Sequence, residues 1–320
     1  MAGLQPMMRC RQLTIVEGPD GSGKSTFARA YAVKTQAHYV HFGPLLKMSQ
    51  QLPRMYVEAM RPALMGWTDV VFDRSWLSES PYGTVYRGGD DRVGPIAQRM
   101  LERLAMRCET VVIKCLPPWE TVKKNFLSRR SDEYLDDTRQ LKEVYTLYQK
   151  QKTALPVYHY DYTSGNASSV DVQLKQLRTN PHQLDIRSAG NFDATCVLVG
   201  EGFTEPTQYD AYYQWPFGSF ARSGCSYWLT NQLHEANIDE RALFWVNCDQ
   251  PMFWTVLPKV DGTRICALGA KASNVLTKGK IEHTVYEHPQ AHKRFSFKTA
   301  YKLIPDLKRL TKGRPCTYQR

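Results

Sequence analysis

Near the amino terminus, Gly18-Pro19-Asp20-Gly21-Ser22-Gly23-Lys24-Ser25-Thr26 combines three glycines with a lysine and hydroxyl side chains, directly after the apolar run Leu13 to Val16. The spacing fits G-x-x-x-x-G-K-[ST]. In that pattern glycines let backbone N–H groups turn inward around a β-phosphate, the lysine reaches the β/γ oxygens, and the hydroxyl ligates Mg²⁺. Lys24 and Ser25 stand at those two positions. A helix starting there adds the favourable field of its N-terminus. The plainer reading is a glycine turn carrying a surface lysine.

A second run, Val70-Val71-Phe72-Asp73-Arg74, ends an apolar stretch on a carboxylate and a guanidinium. Ligands of open α/β sheets collect at such strand ends. Asp73 suits orienting Mg²⁺ or an acceptor hydroxyl, and the donor fork of Arg74 suits clamping a phosphoryl group. The same pair also suits an ion pair that caps the strand. Arg129 and Arg130, followed by Asp132-Glu133, read as a mobile basic loop whose charge phosphoryl transfer would need near the γ-phosphate, or else as a solvated helix end.

The elements that must position these residues alternate along the first half. Leu13 to Val16, Val70 to Phe72, Val111 to Leu116 and Pro156 to Tyr160 read as strands. Thr26 to Thr35, Pro95 to Met106, Trp119 to Arg129, Asp136 to Lys152 and Val170 to Leu177 read as helices. The pattern predicts an α/β fold built on a parallel sheet. Polar residues dominate Arg178 to Phe192, which reads as a linker over 181–192 between a domain at 1–180 and another at 193–320. Beyond it, Thr195 to Val199, Ala242 to Val246, Arg264 to Leu268 and His283 to Tyr286 read as strands of a second α/β series, with a helix near Ser226 to Ala236.

The 320 residues suffice for two cores. No stretch reaches the roughly 18 apolar residues of a membrane span, so no membrane partner and a cytoplasmic setting are expected. Eight cysteines without a C-x-x-C pair read as buried reduced thiols. From Lys259 to Arg320, 14 Lys/Arg face 4 Asp/Glu, nearly the whole net charge of +11. With Phe295, Phe297, Tyr301 and Tyr318 interleaved, that segment suits a phosphate backbone, or else a solvated basic tail.

The first half, roughly Leu13 to Leu177, resembles the thymidylate kinase family. Glu17 to Thr26 looks like that family's phosphate loop, Phe72-Asp73-Arg74-Ser75 with Ser78 and Tyr82 like its "DR" segment, and Arg129-Arg130 like its lid arginines. The resemblance implies a P-loop fold of the nucleoside-monophosphate-kinase type, ATP and Mg²⁺, and a thymine-like acceptor. It departs at Tyr86 to Arg92, where a glycine-rich charged segment stands in place of the family's plain helix, so the acceptor need not be free thymidylate.

In the second half Val197 to Gly202 again joins a strand to a glycine turn but lacks G-K-[ST]. Phe217 after Trp215-Pro216, Asn247 leaving a strand, and Glu287-His288-Pro289 follow in an order that resembles the uracil-DNA glycosylase superfamily, over roughly Thr195 to Phe297. The resemblance implies a pocket for a flipped uracil-type base, with Phe217 stacked on the ring, Asn247 pairing its O4 and N3–H edge, and His288 beside base or sugar. The alternatives are core packing for Phe217, a turn for Asn247 and a satisfied buried histidine for His288. The segment Gly200-Glu201-Gly202-Phe203-Thr204-Glu205 lacks that family's proline turn. Either Glu201 or Glu205 holds a water, or the domain binds bases without cutting the glycosidic bond; no iron–sulfur cluster is expected.

Taken together the halves resemble the 5-hydroxymethyluracil DNA kinases of bacteriophages. That resemblance implies ATP-dependent phosphorylation of the hydroxymethyl group of 5-hydroxymethyluracil within DNA. The product would be a step toward hypermodified thymine that evades host restriction, inside an infected bacterial cell. A kinase of free thymidylate or hydroxymethyl-deoxyuridylate, and a uracil-type glycosylase with a nucleotide-sensing domain, are the rival readings.

Overall fold

The apolar runs that end at Glu17, Asp73 and Cys115 are buried on both faces, which is what strands of a helix-covered parallel sheet require. In a computed structural model they are β1 (Gln12–Glu17), β3 (Val70–Asp73) and β4 (Glu109–Cys115). The structure describes residues 11–43, 52–128, 137–164, 170–177, 188–191, 193–202, 217–249, 253–257, 264–296 and 298–311.

With β2 (His38–His41) and β5 (Val157–Tyr160) they form a five-stranded sheet of order β2-β3-β1-β4-β5, parallel throughout. The helices are α1 (Lys24–Thr35), α2 (Leu52–Leu64), α3 (Glu79–Tyr86), α4 (Gly94–Ala105), α5 (Trp119–Ser128), α6 (Thr138–Lys150) and α7 (Val170–Leu177). Ala28 and Ala32 of α1 and Val170 and Leu174 of α7 pack with Val16, Val71, Val111 and Ile113 of the sheet. Strand order reverses at β1: the chain reaches β3 on one side of it and β4 on the other. The loop after β1 and the end of β3 therefore flank the crevice where such sheets bind ligands.

β2, α2 and α3 were not expected from the sequence pattern. The four residues of β2 alternate too little to stand out, with both end residues exposed.

A second sheet follows, made of β6 (Ser188–Gly190), β7 (Cys196–Gly200), β8 (Leu243–Asn247), β9 (Arg264–Leu268) and β10 (Thr284–Tyr286) in the order β10-β9-β7-β8-β6. Only β6 runs antiparallel, against β8. Ser188–Gly190 lies within the segment read as linker, yet it pairs with Phe244 to Val246. Three residues of small side chains carry no strand signal of their own. Along this part of the chain the described helices are α8 (Cys225–Glu235), α9 (Phe253–Val256), α10 (Ala270–Lys278), α11 (Pro289–Phe295) and α12 (Leu303–Thr311). Val197, Val199, Phe244, Val246, Ala267 and Leu276 form its core.

Contacts divide the described chain into two units, one from 11–94 and 108–177, the other from Pro95–Arg107 and the residues from 188 onward. Helix α4 thus belongs with the second sheet although its sequence sits inside the first series. The side chains explain it. Arg103, with no exposure, donates through Nε to Glu240 and through Nη2 to Thr230 Oγ1 at 3.2 Å, and its guanidinium lies 3.8 Å from the centroid of Trp245. Arg99, one turn earlier, reaches the other Glu240 oxygen at 3.0 Å. No helix among the described residues is long and apolar enough to cross a membrane.

Candidate functional site

The chain leaves β1 at Glu17 and enters α1 at Lys24, so the loop between them lies across the N-terminus of a helix. Its curvature needs glycine. Gly18 has φ +150° and a Cβ there would sit 2.5 Å from the carbonyl oxygen of Cys115; Gly21 has φ +76° and a Cβ would meet the Val122 carbonyl at 2.6 Å. Every L side chain is excluded from both positions on steric grounds.

Lys24 is 6% exposed and its Nζ donates to Pro19 O at 3.4 Å and to Asp20 Oδ1 at 3.3 Å, folding back over the loop. Asp20 Oδ1 also takes the guanidinium of Arg74. Burial pushes the Asp20 carboxyl up, but Arg74 and then Lys24 outweigh it and hold it at about 2. Its Oδ2 is buried without a hydrogen-bond partner. The loop therefore keeps a carboxylate on the two cations that a phosphate would use.

Asp73 closes β3 with no exposure. Its Oδ2 accepts from the Tyr39 hydroxyl at 2.7 Å and pairs with His41 Nδ1 at 2.8 Å, both from β2. Burial raises the carboxyl, yet Lys24, Tyr39, Ser25 and His41 together leave it below its ordinary value. Asp73 Oδ1 is buried and has no hydrogen-bond partner. An ionised carboxylate with one oxygen unsatisfied, within reach of the Ser25 hydroxyl at the mouth of a phosphate loop, fits the oxygen-donor chemistry of Mg²⁺. Ser25 and Asp73 are the residues that would hold it.

Arg74 adopts φ +72°, a left-handed conformation that costs an L residue roughly 1 kcal/mol. Its N–H donates to Val16 O at 3.0 Å, and its guanidinium lies 4.6 Å from the centroid of the Tyr82 ring. Burial disfavours the cation, but Tyr82 and Asp20 more than compensate, and it stays charged. Lys24, Asp20, Asp73 and Arg74 thus lie together beside the loop. Arg129 and Arg130 lie outside the described residues.

Tyr39 and His41 were missed in the sequence because the strand bearing them was missed. The charged stretch after Tyr86 is resolved into a clamp: Arg87 Nη2 reaches Glu79 Oε2 at 2.9 Å, while Arg92 donates to both Glu79 oxygens at 2.8 Å.

In the second unit, Phe217 and Asn247 converge on Gly200, the last residue of β7. A Cβ on Gly200 would fall 2.4 Å from Asn247 Oδ1 and 2.9 Å from Phe217 Cε2. Asn247 is 4% exposed, and Phe217, at φ +51°, meets Trp245 edge-on at 5.4 Å. Glu201 Oε1 accepts the backbone N–H of Lys271 at 2.9 Å, capping α10. His288 Nδ1 accepts from Gln290 N at 3.2 Å and caps α11; burial lowers its basicity against the opposing pull of Glu201. Glu205 lies outside the described residues.

No family model matches the chain, and no curated protein matches it. Solved structures align with about half of it. The YorR protein of Bacillus subtilis, in complex with phosphorylated GDP, is 19% identical with a TM-score of 0.41, covering 52% of this chain and 96% of that one. Deoxyadenosine kinase from M. mycoides with bound dATP is 15% identical at a TM-score of 0.37, covering 52% and 100%. Polyphosphate kinase 2 from Arthrobacter aurescens TC1 is 18% identical at a TM-score of 0.40, covering 53% and 67%.

Proposed function

We propose that the chain is an ATP-dependent kinase that phosphorylates the hydroxymethyl group of 5-hydroxymethyluracil within DNA. The observation that carries the kinase reading is the convergence of Lys24, Arg74 and the half-satisfied Asp73 at the mouth of a glycine loop, at the switch point of a parallel sheet. Two cations and an open carboxylate beside a helix N-terminus suit a polyphosphate tail and its metal. Mg²⁺ held by Ser25 and Asp73 would neutralise charge on the β- and γ-oxygens. Lys24 and Arg74 leave Asp20 for the incoming phosphates and offset charge on the transferring group; the acceptor's hydroxymethyl oxygen forms the new bond to the γ-phosphorus as the bond from that phosphorus to the β,γ-bridging oxygen breaks, ADP departs with that oxygen, and the hydroxyl proton passes to solvent water.

The DNA part of the reading draws its support from the second unit. Phe217 and Asn247 meet at one glycine, an arrangement suited to one ring face and one Watson–Crick edge. Lys271, Lys278, Lys280, Arg294, Lys302 and Lys308 are exposed, as phosphate-backbone contacts require. Thymine offers no hydroxyl at its 5-methyl; hydroxymethyluracil presents one on the major-groove edge. A base inside the stack cannot meet the γ-phosphate in line, so unstacking at about a few kcal/mol is expected. Glu201, one candidate carboxylate for glycosidic cleavage, is engaged at the start of α10.

The test offers γ-labelled ATP with hydroxymethyluracil-containing DNA, thymine DNA and free hydroxymethyl-deoxyuridylate, then digests the DNA to nucleosides and looks by mass for the phosphomethyl product. Label confined to the mononucleotide refutes the polymer substrate. Abasic sites formed without ATP would replace the kinase by a glycosylase.

A further inference from the structure

Glu17, the residue before the phosphate loop, takes no part in the chemistry above, yet it is fully buried. Its Oε1 accepts from Ser75 Oγ at 2.6 Å; its Oε2 accepts from Ser78 Oγ at 2.7 Å and from the Tyr148 hydroxyl at 3.1 Å. Lys114 stands beside it in the β1–β4 register, but Lys114 Nζ is committed to the carbonyls of Tyr148 at 3.1 Å and Gln151 at 2.6 Å. The carboxyl is therefore held by hydroxyls alone among its hydrogen-bond partners, and burial pushes its pKa up. A buried carboxyl is costly without strong partners, and an apolar side chain would fill the space more cheaply.

What the cluster stitches explains why a carboxyl stands there. Ser75 and Ser78 bracket the corner after β3, and Arg74, immediately before Ser75, is the residue forced to φ +72°. Its backbone is pinned on one side by the Arg74 N–H bond to Val16 O, the residue before Glu17, and on the other by Ser75 Oγ on Glu17. Ser75 Oγ also accepts the Leu77 N–H at 3.1 Å, fixing the short turn that follows. The end of β1 thus grips the corner at two successive residues and aims the Arg74 side chain back over the loop onto Asp20.

We propose that Glu17 is a positioning residue: through Ser75 and Ser78 it holds the strained corner that places the Arg74 guanidinium at the phosphate loop. The consequence for phosphoryl transfer rests on the kinase reading above; the placement of Arg74 does not, and the two are measured separately.

The first measurement is the rate at which phenylglyoxal modifies Arg74, followed by peptide mass spectrometry, in wild type, Glu17→Gln, Glu17→Ala and Ser75→Ala. Release of the corner predicts modification faster by about fivefold or more in Glu17→Ala and Ser75→Ala, with Glu17→Gln, which keeps an acceptor oxygen, between them and wild type. The second is a double-mutant cycle on phosphoryl transfer. Glu17→Ala lowers kcat by about tenfold or more in the wild-type background and by less than about twofold in Arg74→Ala. An unchanged Arg74 modification rate in folded Glu17→Ala or Ser75→Ala overturns the proposal, as does a kcat loss of equal size in both backgrounds. Ser75→Ala deletes a single hydroxyl and keeps the test decisive where Glu17→Ala does not fold. Faster modification in a protein with no transfer activity upholds the positioning role and refutes the kinase reading.

Discussion

Gly200→Ala separates a base pocket from ordinary core packing in the second unit. The backbone of Gly200 is not in the left-handed region, so alanine meets no conformational penalty there; the whole effect is the contact its Cβ makes. That Cβ falls 2.4 Å from Asn247 Oδ1 and 2.9 Å from Phe217 Cε2, against ordinary contact beginning near 3.4 Å. Asn247 must therefore move by about 1 Å and the Phe217 ring by about half that. Asn247 is almost fully buried on β8, and such overpacking costs about 1–3 kcal/mol of stability. If Asn247 reads a pyrimidine edge, a displacement of about 1 Å breaks the pair, and a good bidentate contact carries about 1–3 kcal/mol of discrimination. The preference for hydroxymethyluracil over adenine or guanine at the target position should fall by about 5- to 150-fold. Fluorescence-anisotropy competition between oligonucleotides that differ only at that position, at fixed salt, measures it, and a denaturant melt of the same sample reports stability. ATP-analogue affinity should not change. Lost stability together with unchanged base discrimination would show that Phe217 and Asn247 only pack the core.

At the phosphate loop, Lys24→Ala should lower phosphoryl transfer by about 10²–10³-fold in steady-state kinetics, the loss expected on removing one preorganised charge. Arg74→Gly and Arg74→Ala should be equally impaired in transfer, yet thermal or urea melts should find glycine the more stable by about 1 kcal/mol, because φ +72° costs alanine and not glycine. Asp20 is held at about 2 against an ordinary 3.8, so the stability it contributes is present above its unfolded value and lost as pH falls from about 4 to 2. The unfolding free energy from urea melts should fall between pH 5 and pH 2 by about 2 kcal/mol more in wild type than in Asp20→Asn. Arg103→Met should destabilise the second unit by about 3–5 kcal/mol in denaturant, since it leaves the buried Glu240 with Arg99 as its remaining cation.

The glycine loop was readable along the chain because its residues are contiguous. A strand, a turn that admits only glycine, and a helix start impose their own residue types in order, and Gly18 to Ser25 satisfies all three. Asp73 was readable for the same reason: an apolar strand ending on a carboxylate is a local pattern. The layout of parallel strands also followed from local periodicity, save where an element is too short or too small in its side chains to show one, as with His38–His41 and Ser188–Gly190.

Partnerships between distant segments left no such trace. Nothing near Asp73 in sequence announces Tyr39 and His41 on its Oδ2, nothing near Glu17 announces Ser75, Ser78 and Tyr148, and nothing in Pro95 to Met106 announces that Arg103 lies on Trp245 and Glu240. Hydrogen bonds and ion pairs form wherever packing brings complementary groups within about 3 Å, and which groups meet is set by strand order and helix docking. Chain-local chemistry thus marked the glycine loop; folding alone chose the charges and hydroxyls that surround it.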